Sequence, residues 1–300
     1  MNVGIIGIGK LGTIHLRIYK ELPGIENIYL VDIDKEKLAA HAGLHSFNNY
    51  RELAGKVDLV SIATPTATHF EIAKFFLANR VPVLVEKPIT QKLPQARALV
   101  NLARAHKTLL MVGHVERYNN AYLAIKEMVR KPLFIECHRL SPYPNRSLDI
   151  SVVLDVMIHD LDIILDLVRD KIRRIDAKGV KILSESADIA NARLTFKNGC
   201  IANITASRIS AKRERKIRIF LDHCYISLDY AEQKGEIYQK IHGQIKNQML
   251  DINKEEPLKK EIVEFVDAVK AKSFRLDEAI KAKDALALAL KIQKIIDKHP

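Results

Sequence analysis

The feature that most limits what this chain can fold into is a glycine pattern set between a strand and a helix. Val3 to Ile8 is an apolar, β-branched run; Gly7-Ile8-Gly9-Lys10-Leu11-Gly12 closes it and opens a helix from Leu11 to Glu21. In such a G-x-G-x-x-G pattern the first glycine permits a tight turn. The second lets backbone approach a pyrophosphate, and the third lets helix and strand pack closely. The amino end of the helix then offers N–H groups and a positive dipole to phosphates. A second strand, Ile28 to Val31, ends at Asp32, about 20 residues past the last glycine, where a carboxylate accepts hydrogen bonds from ribose hydroxyls. A carboxylate there also repels a 2′-phosphate, so the expected cofactor is NAD. Lys35 and Lys37 nearby leave NADP open, and Asp32 also suits a cap for the segment that follows.

Strand and helix signals keep alternating. Val57 to Ala63 reads as a strand, Ala67 to Asn79 as a helix, Leu93 to Ala105 as a helix and Thr108 to Val112 as a strand. That alternation implies right-handed βαβ units and a doubly wound parallel sheet. Between them lies Val81-Pro82-Val83-Leu84-Val85-Glu86-Lys87-Pro88, an apolar run ending abruptly in an acid, a base and a proline. A strand covered by helices on both faces must be apolar throughout. Its carboxyl end is where such a sheet presents ligand-binding groups, which makes Lys87 the expected polar centre of a site. The loop Thr64-Pro65-Thr66-Ala67-Thr68-His69 also follows a strand and is expected to face the cofactor. His69 either reaches the nicotinamide half or sits in the first turn of the next helix. The expected cofactor contacts are Gly7, Ile8, Gly9, Lys10, Leu11, Gly12, Asp32, Thr64, Pro65, His69, Glu86 and Lys87.

The chain has 300 residues, more than a single core usually takes, so two domains are expected, 1–118 and 119–300. Its 48 Lys and Arg against 36 Asp and Glu give +12, which suits an anionic small molecule. No arginine-rich or basic-aromatic repeat points to nucleic acid, and the basic segment from Lys212 to Arg218 reads as a solvated loop. Cys137, Cys200 and Cys224 are odd in number and widely spaced, against both a disulfide framework and a zinc site; no metal is expected. No signal peptide or membrane-length apolar run is seen, so the cytoplasm is the expected compartment.

After Gly113 the pattern changes. A helix is expected from Arg117 to about Val129 and a strand from Leu133 to Leu140. The stretch Ser151 to Asp166 is largely aliphatic, and at 100° per residue Asp155, His159, Asp162 and Asp166 share one narrow stripe. That stripe is either a thin wet face or the lining of a cleft. Asp155 and His159 are four apart and can share a proton, as a general base and its orienting carboxylate do. Strands then dominate: Arg174–Val180, Ile189–Phe196, Cys200–Ser207, Ile217–Leu221, Tyr225–Tyr230 and Lys234–Gln239. They predict an open, mostly antiparallel sheet, so the fold class is α/β with a Rossmann domain followed by an α+β domain. Arg208, closing one strand, either reaches an anionic substrate group or is solvated. Residues 240–256 read as a loop. Helices are expected from Pro257 to about Lys272 and from Leu276 to about Asp297, the last (about 277–297) packing back on the first domain.

The glycine pattern, Thr64-Pro65, Glu86-Lys87-Pro88 and Asp155-x-x-x-His159, in this order, resemble the glucose–fructose oxidoreductase / inositol dehydrogenase / rhizopine-catabolism family over essentially the whole chain. The resemblance implies an NAD- or NADP-dependent dehydrogenase of sugars, cyclitols or nucleotide-linked sugars, with dimers or tetramers formed through the open sheet. Carried over, the catalytic residues are Lys87, Asp155 and His159: His159 as the base, Asp155 orienting it, and Lys87 as donor to the reacting hydroxyl or as a proton relay. Arg117, Tyr118 and Asn119 lie in the stretch that enters the family's substrate cleft and, with Arg208, form the expected substrate-binding set. Arg117-Tyr118-Asn119 and the Asp155-to-Asp162 segment also resemble bacterial enzymes that oxidise the 3-hydroxyl of UDP-N-acetylglucosamine. The chain departs from the pattern at Ser151-Val152-Val153, where many relatives carry a glycine-rich turn, and at Met157, where a glycine is common; both bear on the shape of the cleft. Inositol or free-sugar oxidation is the alternative activity. A non-catalytic NAD-binding regulator is the other; such a protein is free to lose Lys87 or His159, and both are present.

Overall fold

A computed structural model describes residues 1–143, 150–241 and 243–298. The chain forms two compact units, Met1–His114 with Leu258–Lys283, and Val115–Pro257 with Asp284–Pro300.

The first unit alternates β1 (Asn2–Ile6), α1 (Lys10–Glu21), β2 (Asn27–Val31), α2 (Lys35–Ala39), β3 (His45–Phe47), β4 (Leu59–Ile62), α3 (Thr66–Ala78), β5 (Val83–Glu86), α4 (Leu93–His106) and β6 (Leu110–Gly113). The strands lie in the order β3-β2-β1-β4-β5-β6, and every pairing is parallel. Every residue of β4, β5 and β6 is buried, as strands covered on both faces must be. The order reverses between β1 and β4, so the loops after these two strands flank the crevice where such sheets bind ligands. The short α2 and β3, absent from the sequence reading, come from the 35–47 stretch.

The second unit contains α5 (Asn120–Ile125), β7 (Phe134–Leu140), α6 (Ile158–Val168), β8 (Ile172–Val180), β9 (Ile189–Phe196), β10 (Ile201–Ser207), β11 (Glu214–Leu221), β12 (Cys224–Asp229), β13 (Lys234–Ile241) and β14 (Gln244–Met249). Its sheet runs β14-β13-β12-β11-β7-β10-β9-β8. All pairings are antiparallel except β7 with β10. One face is buried: Ala190, Ala192, Leu194 and Phe196 of β9 and Ala202, Ile204 and Ala206 of β10 share a core with Leu161 and Ile164 of α6. The alternation of buried with exposed residues along β9 is that of a half-covered sheet. Helices α7 (Pro257–Lys270) and α8 (Asp277–Lys298) complete the chain.

Three expectations need correction. Residues 244–249, read as loop, form the edge strand β14, paired only with β13 and exposed along its whole length. The helix predicted from Arg117 is broken in two. A 3-10 turn covers Val115–Tyr118, and Asn119 then starts α5 by accepting the N–H of Ala121 on its side chain. The helix predicted over 151–166 opens with a π-helical turn at Val153–Met157 before α6 begins. Such a turn takes an extra residue, so side chains on either side of it fall out of 100° register.

Candidate active site

The glycine loop is built as its spacing requires. Gly7 has φ +91, and a Cβ there would meet the Ala63 carbonyl at 2.8 Å. A Cβ on Gly12 would lie 1.8 Å from the Gly7 oxygen. Gly9 is different, because a Cβ there meets no protein atom within 4 Å. Nothing inside the protein demands a glycine at that position, whereas a phosphate approaching the backbone does. Helix α1 starts at this loop with no side-chain cap and no acid in its first turn, so Lys10 and Leu11 begin a helix end suited to an anion. Asp32, half-buried after β2, accepts the Ile8 N–H at 2.7 Å on one oxygen and the Asp34 N–H at 2.9 Å on the other. Its carboxylate is thereby fixed beside the glycine loop.

The loop after β4 is tied to the turn after β5. Thr68 Oγ donates to Thr64 Oγ at 2.7 Å and lies 2.9 Å from the Pro65 carbonyl. His69 sits in the first turn of α3 with its ring buried. Nδ1 lies 2.9 Å from the Pro88 carbonyl and Nε2 2.9 Å from that of Thr64. Burial pushes its pKa down against these two carbonyls. Both nitrogens are turned to main chain, so the ring clamps two loops together from the first turn of α3.

Glu86 ends β5, and Lys87 follows it, half-buried, with a cis bond to Pro88. The Glu86 side chain points into the protein. Oε1 lies 3.2 Å from His15 Nε2, and Oε2 accepts the Lys87 N–H at 3.3 Å. His15 Nδ1 lies 3.2 Å from Ser61 Oγ, which lies 2.9 Å from Tyr19 Oη. Sequence reading missed His15, Ser61 and Tyr19. The available signals were a serine inside the apolar run Val57–Ala63 and a His and Tyr four apart on the packed face of α1.

In the second unit, Asp155 lies in the π-turn and His159 in the first turn of α6, both half-buried. The other acids of this segment, Asp162 and Asp166 of the expected stripe and Asp160 off it, are sunk in the unit. Asp162 receives two bonds from Arg117, one at 2.6 Å, and these side chains are 2% and 7% exposed. Asp166 accepts the hydroxyl of Tyr122. Asp160 is held by Nε and one arm of Arg139 at 2.9 Å, and the other arm reaches Glu116 at 2.8 Å. Only Asp155 and His159 therefore keep the partial exposure a cleft wall needs.

The side chains expected to contact substrate make protein contacts as well. Asn119 donates to Glu116 and to the Tyr230 carbonyl while capping α5, and Tyr118 is buried beside it in sequence. Arg117 is committed to Asp162. Arg208 is fully buried, with each guanidinium nitrogen bound at 2.9 Å: Nε to Asp188, one arm to the Ile150 carbonyl and the other to Ser186 Oγ. These side chains hold the unit together.

The model of the oxidoreductase family with an NAD-binding Rossmann fold matches residues 1–114, and that of the GFO/IDH/MocA C-terminal domain matches 124–227. A UDP-N-acetylglucosamine 3-dehydrogenase of Acidithiobacillus ferrooxidans is 32% identical over 99% of this chain and 97% of its own length. The chain belongs to the GFO/IDH/MocA oxidoreductase family. The solved structure of that dehydrogenase superposes with a TM-score of 0.91, covering 99% of this chain and 98% of the other. An inositol 2-dehydrogenase of Rubrobacter xylanophilus is 26% identical over 69% of this chain and 65% of its own length.

As a GFO/IDH/MocA member the protein is an NAD-binding oxidoreductase acting on alcohol groups. Its residues fit the cofactor on independent grounds: the open side of Gly9, the uncapped start of α1 and the fixed Asp32 carboxylate. Among the described residues no group of three or more His, Cys, Asp and Glu is arranged for a metal ion. No helix among them is long and apolar enough to cross a membrane.

Proposed function

We propose that this oxidoreductase converts the 3-hydroxyl of UDP-N-acetylglucosamine, or of a closely similar nucleotide-linked sugar, to a ketone. The observation that carries the reading is similarity along the full chain to an enzyme named for that reaction, where the inositol dehydrogenase matches about two thirds. The bound dinucleotide supplies the hydride acceptor. The protein removes the hydroxyl proton and steadies the oxygen as charge develops on it. His159 is the base, oriented by Asp155 one helical turn earlier. Lys87 donates to the reacting oxygen. Gly7 to Gly12 hold the pyrophosphate, and Asp32 holds the adenosine ribose, favouring NAD over NADP.

The test is a screen of UDP-N-acetylglucosamine, free hexoses and inositol for NAD reduction, with hydrazine present to trap the ketone. UDP-N-acetylglucosamine should give the highest kcat/KM. A higher value with inositol or a free hexose would overturn the substrate assignment. The open face of the second unit's sheet carries a row of rings, Phe134, Phe220, Tyr225 and Tyr238, with neighbouring centroids 4.9–5.6 Å apart. That row supports a homodimer or homotetramer assembled through the sheet. A monomeric mass by light scattering would refute it. A cytoplasmic location belongs to the same reading, and recovery of the native protein from an extracytoplasmic fraction would refute that.

A further inference from the structure

The polar chain beneath Lys87 is unusual for the inside of a parallel sheet. Tyr19 and Ser61 are 0% exposed and His15 1%, and Glu86 is 8% exposed. Four polar side chains from α1, β4 and β5 therefore run through a largely apolar core. Each link is within hydrogen-bonding distance: 2.9 Å from Tyr19 to Ser61, 3.2 Å from Ser61 to His15 and 3.2 Å from His15 to Glu86. Burying such groups costs stability unless all are satisfied. A chain serving packing alone would be replaced at less cost by apolar side chains.

The line ends at a chemically interesting place. Glu86 Oε2 accepts the main-chain N–H of Lys87. A Cβ on Gly113, at the end of the neighbouring β6, would stand 2.9 Å from that oxygen and 3.1 Å from the carboxyl carbon. The carboxylate thus lies in a slot that the absence of one side chain provides. Burial pushes the Glu86 carboxyl up, but the His15 hydrogen bond, followed by the proximity of His15 and Lys87, outweighs it and holds the group below its ordinary range. Tyr19 is pushed up by burial and stays a neutral hydroxyl.

We propose that His15 is a positioning residue for Lys87: through its Nε2 contact it fixes the Glu86 carboxylate, and that carboxylate, by accepting the Lys87 main-chain N–H, fixes where the lysine leaves the strand. The proposal rests on the reading of Lys87 given above. His15 also meets Ser61 through its other nitrogen, so the two contacts can be removed one at a time. His15→Gln keeps an amide nitrogen near the Nε2 position and loses the Ser61 contact. His15→Asn keeps one near Nδ1 and loses the Glu86 contact.

Two readouts test this on the full chain. The first needs neither cofactor nor substrate: the rate at which a small amine-reactive ester labels Lys87, followed by peptide mass spectrometry with the other lysines as internal standards. His15→Asn should raise Lys87 labelling by about threefold or more, because a lysine whose main chain is no longer held spends more time in solvated, reactive positions. His15→Gln should label like the parent. Gly113→Ala, which crowds the carboxylate from the opposite side, should behave like His15→Asn and serves if that variant does not fold. The second readout is turnover of UDP-N-acetylglucosamine with NAD. His15→Asn should lower kcat roughly 10- to 100-fold, the cost of a displaced catalytic group, with KM, NADH affinity and melting temperature held and with rescue in His15→Gln. Equal Lys87 labelling in the parent, His15→Asn and Gly113→Ala would overturn the proposal, as would equal kcat loss in His15→Gln and His15→Asn. Undiminished turnover by Lys87→Met would instead sink the catalytic reading of Lys87, and the labelling result would still decide what His15 does.

Discussion

The two units use the same side chains for opposite ends. In the second, each buried acid closes on a base or a hydroxyl: Asp162 on Arg117, Asp160 and Glu116 on Arg139, Asp166 on Tyr122, Asp188 on Arg208. In the first, Glu86 is buried on His15, but the lysine beside it remains half-buried at the carboxyl end of β5. Charges spent on each other deep in a core serve the fold. A pair whose carboxylate is anchored and whose lysine stays half-buried at a strand end suits the role proposed for Lys87. The difference lies in where the strands end, a property of topology and not of the residue pair.

The sharpest way to break this contrast is to cut one residue from each side. Lys87→Met should reduce turnover at least roughly a thousandfold, near the upper range for losing one donor to a developing oxyanion. NADH binding by fluorescence titration should stay within about twofold and the melting temperature should hold, since the lysine stem is only half-buried. Arg208→Ala should do the reverse. It strands Asp188 in the core and should cost about 3–5 kcal/mol in urea unfolding. The folded fraction should keep the KM of the parent, because this guanidinium is wholly occupied by protein. An intact melting temperature with a raised KM would restore Arg208 to the substrate.

Asp32 sharpens the comparison inside the first unit. Its carboxylate is fixed by the Ile8 and Asp34 N–H groups, but its burial is partial. Asp32→Ala should lower kcat/KM for NAD and narrow the NAD-over-NADP preference by about tenfold, the worth of one charge-assisted hydrogen bond together with one like-charge repulsion. A preference already favouring NADP in the parent would overturn the role assigned to this residue.

How much of this was legible in the sequence follows the same divide. The Rossmann half was readable because buried parallel strands are continuous apolar runs and because Gly7, Gly9 and Gly12 carry local backbone demands. The edge strand β14 was not. Gln244–Met249 buries nothing, and its pairing with β13 is made by main chain, which leaves no periodicity. The register of Asp155 against Asp162 and Asp166 was misread because a π-turn has no composition signature in Val153–Met157. The burial of Arg208 was not legible because its partner Asp188 lies 20 residues away and meets it only once β9 and β10 are paired. The His15–Glu86 contact, 71 residues apart, is likewise a product of strand order. Sequence shows where a polar residue interrupts an apolar pattern, and the sheet decides which interruptions meet.

The smallest effect concerns pH and divides the units again. Asp188 is buried, which alone would raise its carboxyl. The Ser184 side chain, the N–H groups of Leu183 and Ile182 and the Arg208 guanidinium outweigh burial and hold it well below the usual range. Its stabilising contribution is present above the unfolded value of about 3.9 and fades only as pH falls below that. His69 in the first unit is depressed as well, by burial, but from an unfolded value of about 6.5. Below that pH the unfolded chain takes up a proton that the folded chain refuses. The clamp between the Thr64 and Pro88 loops should therefore lose stability as pH falls from about 6.5 toward the depressed folded value, by at most about 1.4 kcal/mol per pH unit. Melting temperatures of the parent and His69→Gln between pH 8 and pH 5 check this. The parent should lose more than the variant over that interval, and the two curves should fall together only when the acids of the second unit begin to protonate. Parallel curves throughout would mean that His69 takes up its proton within the folded chain, and that its two carbonyl contacts are made by an imidazolium.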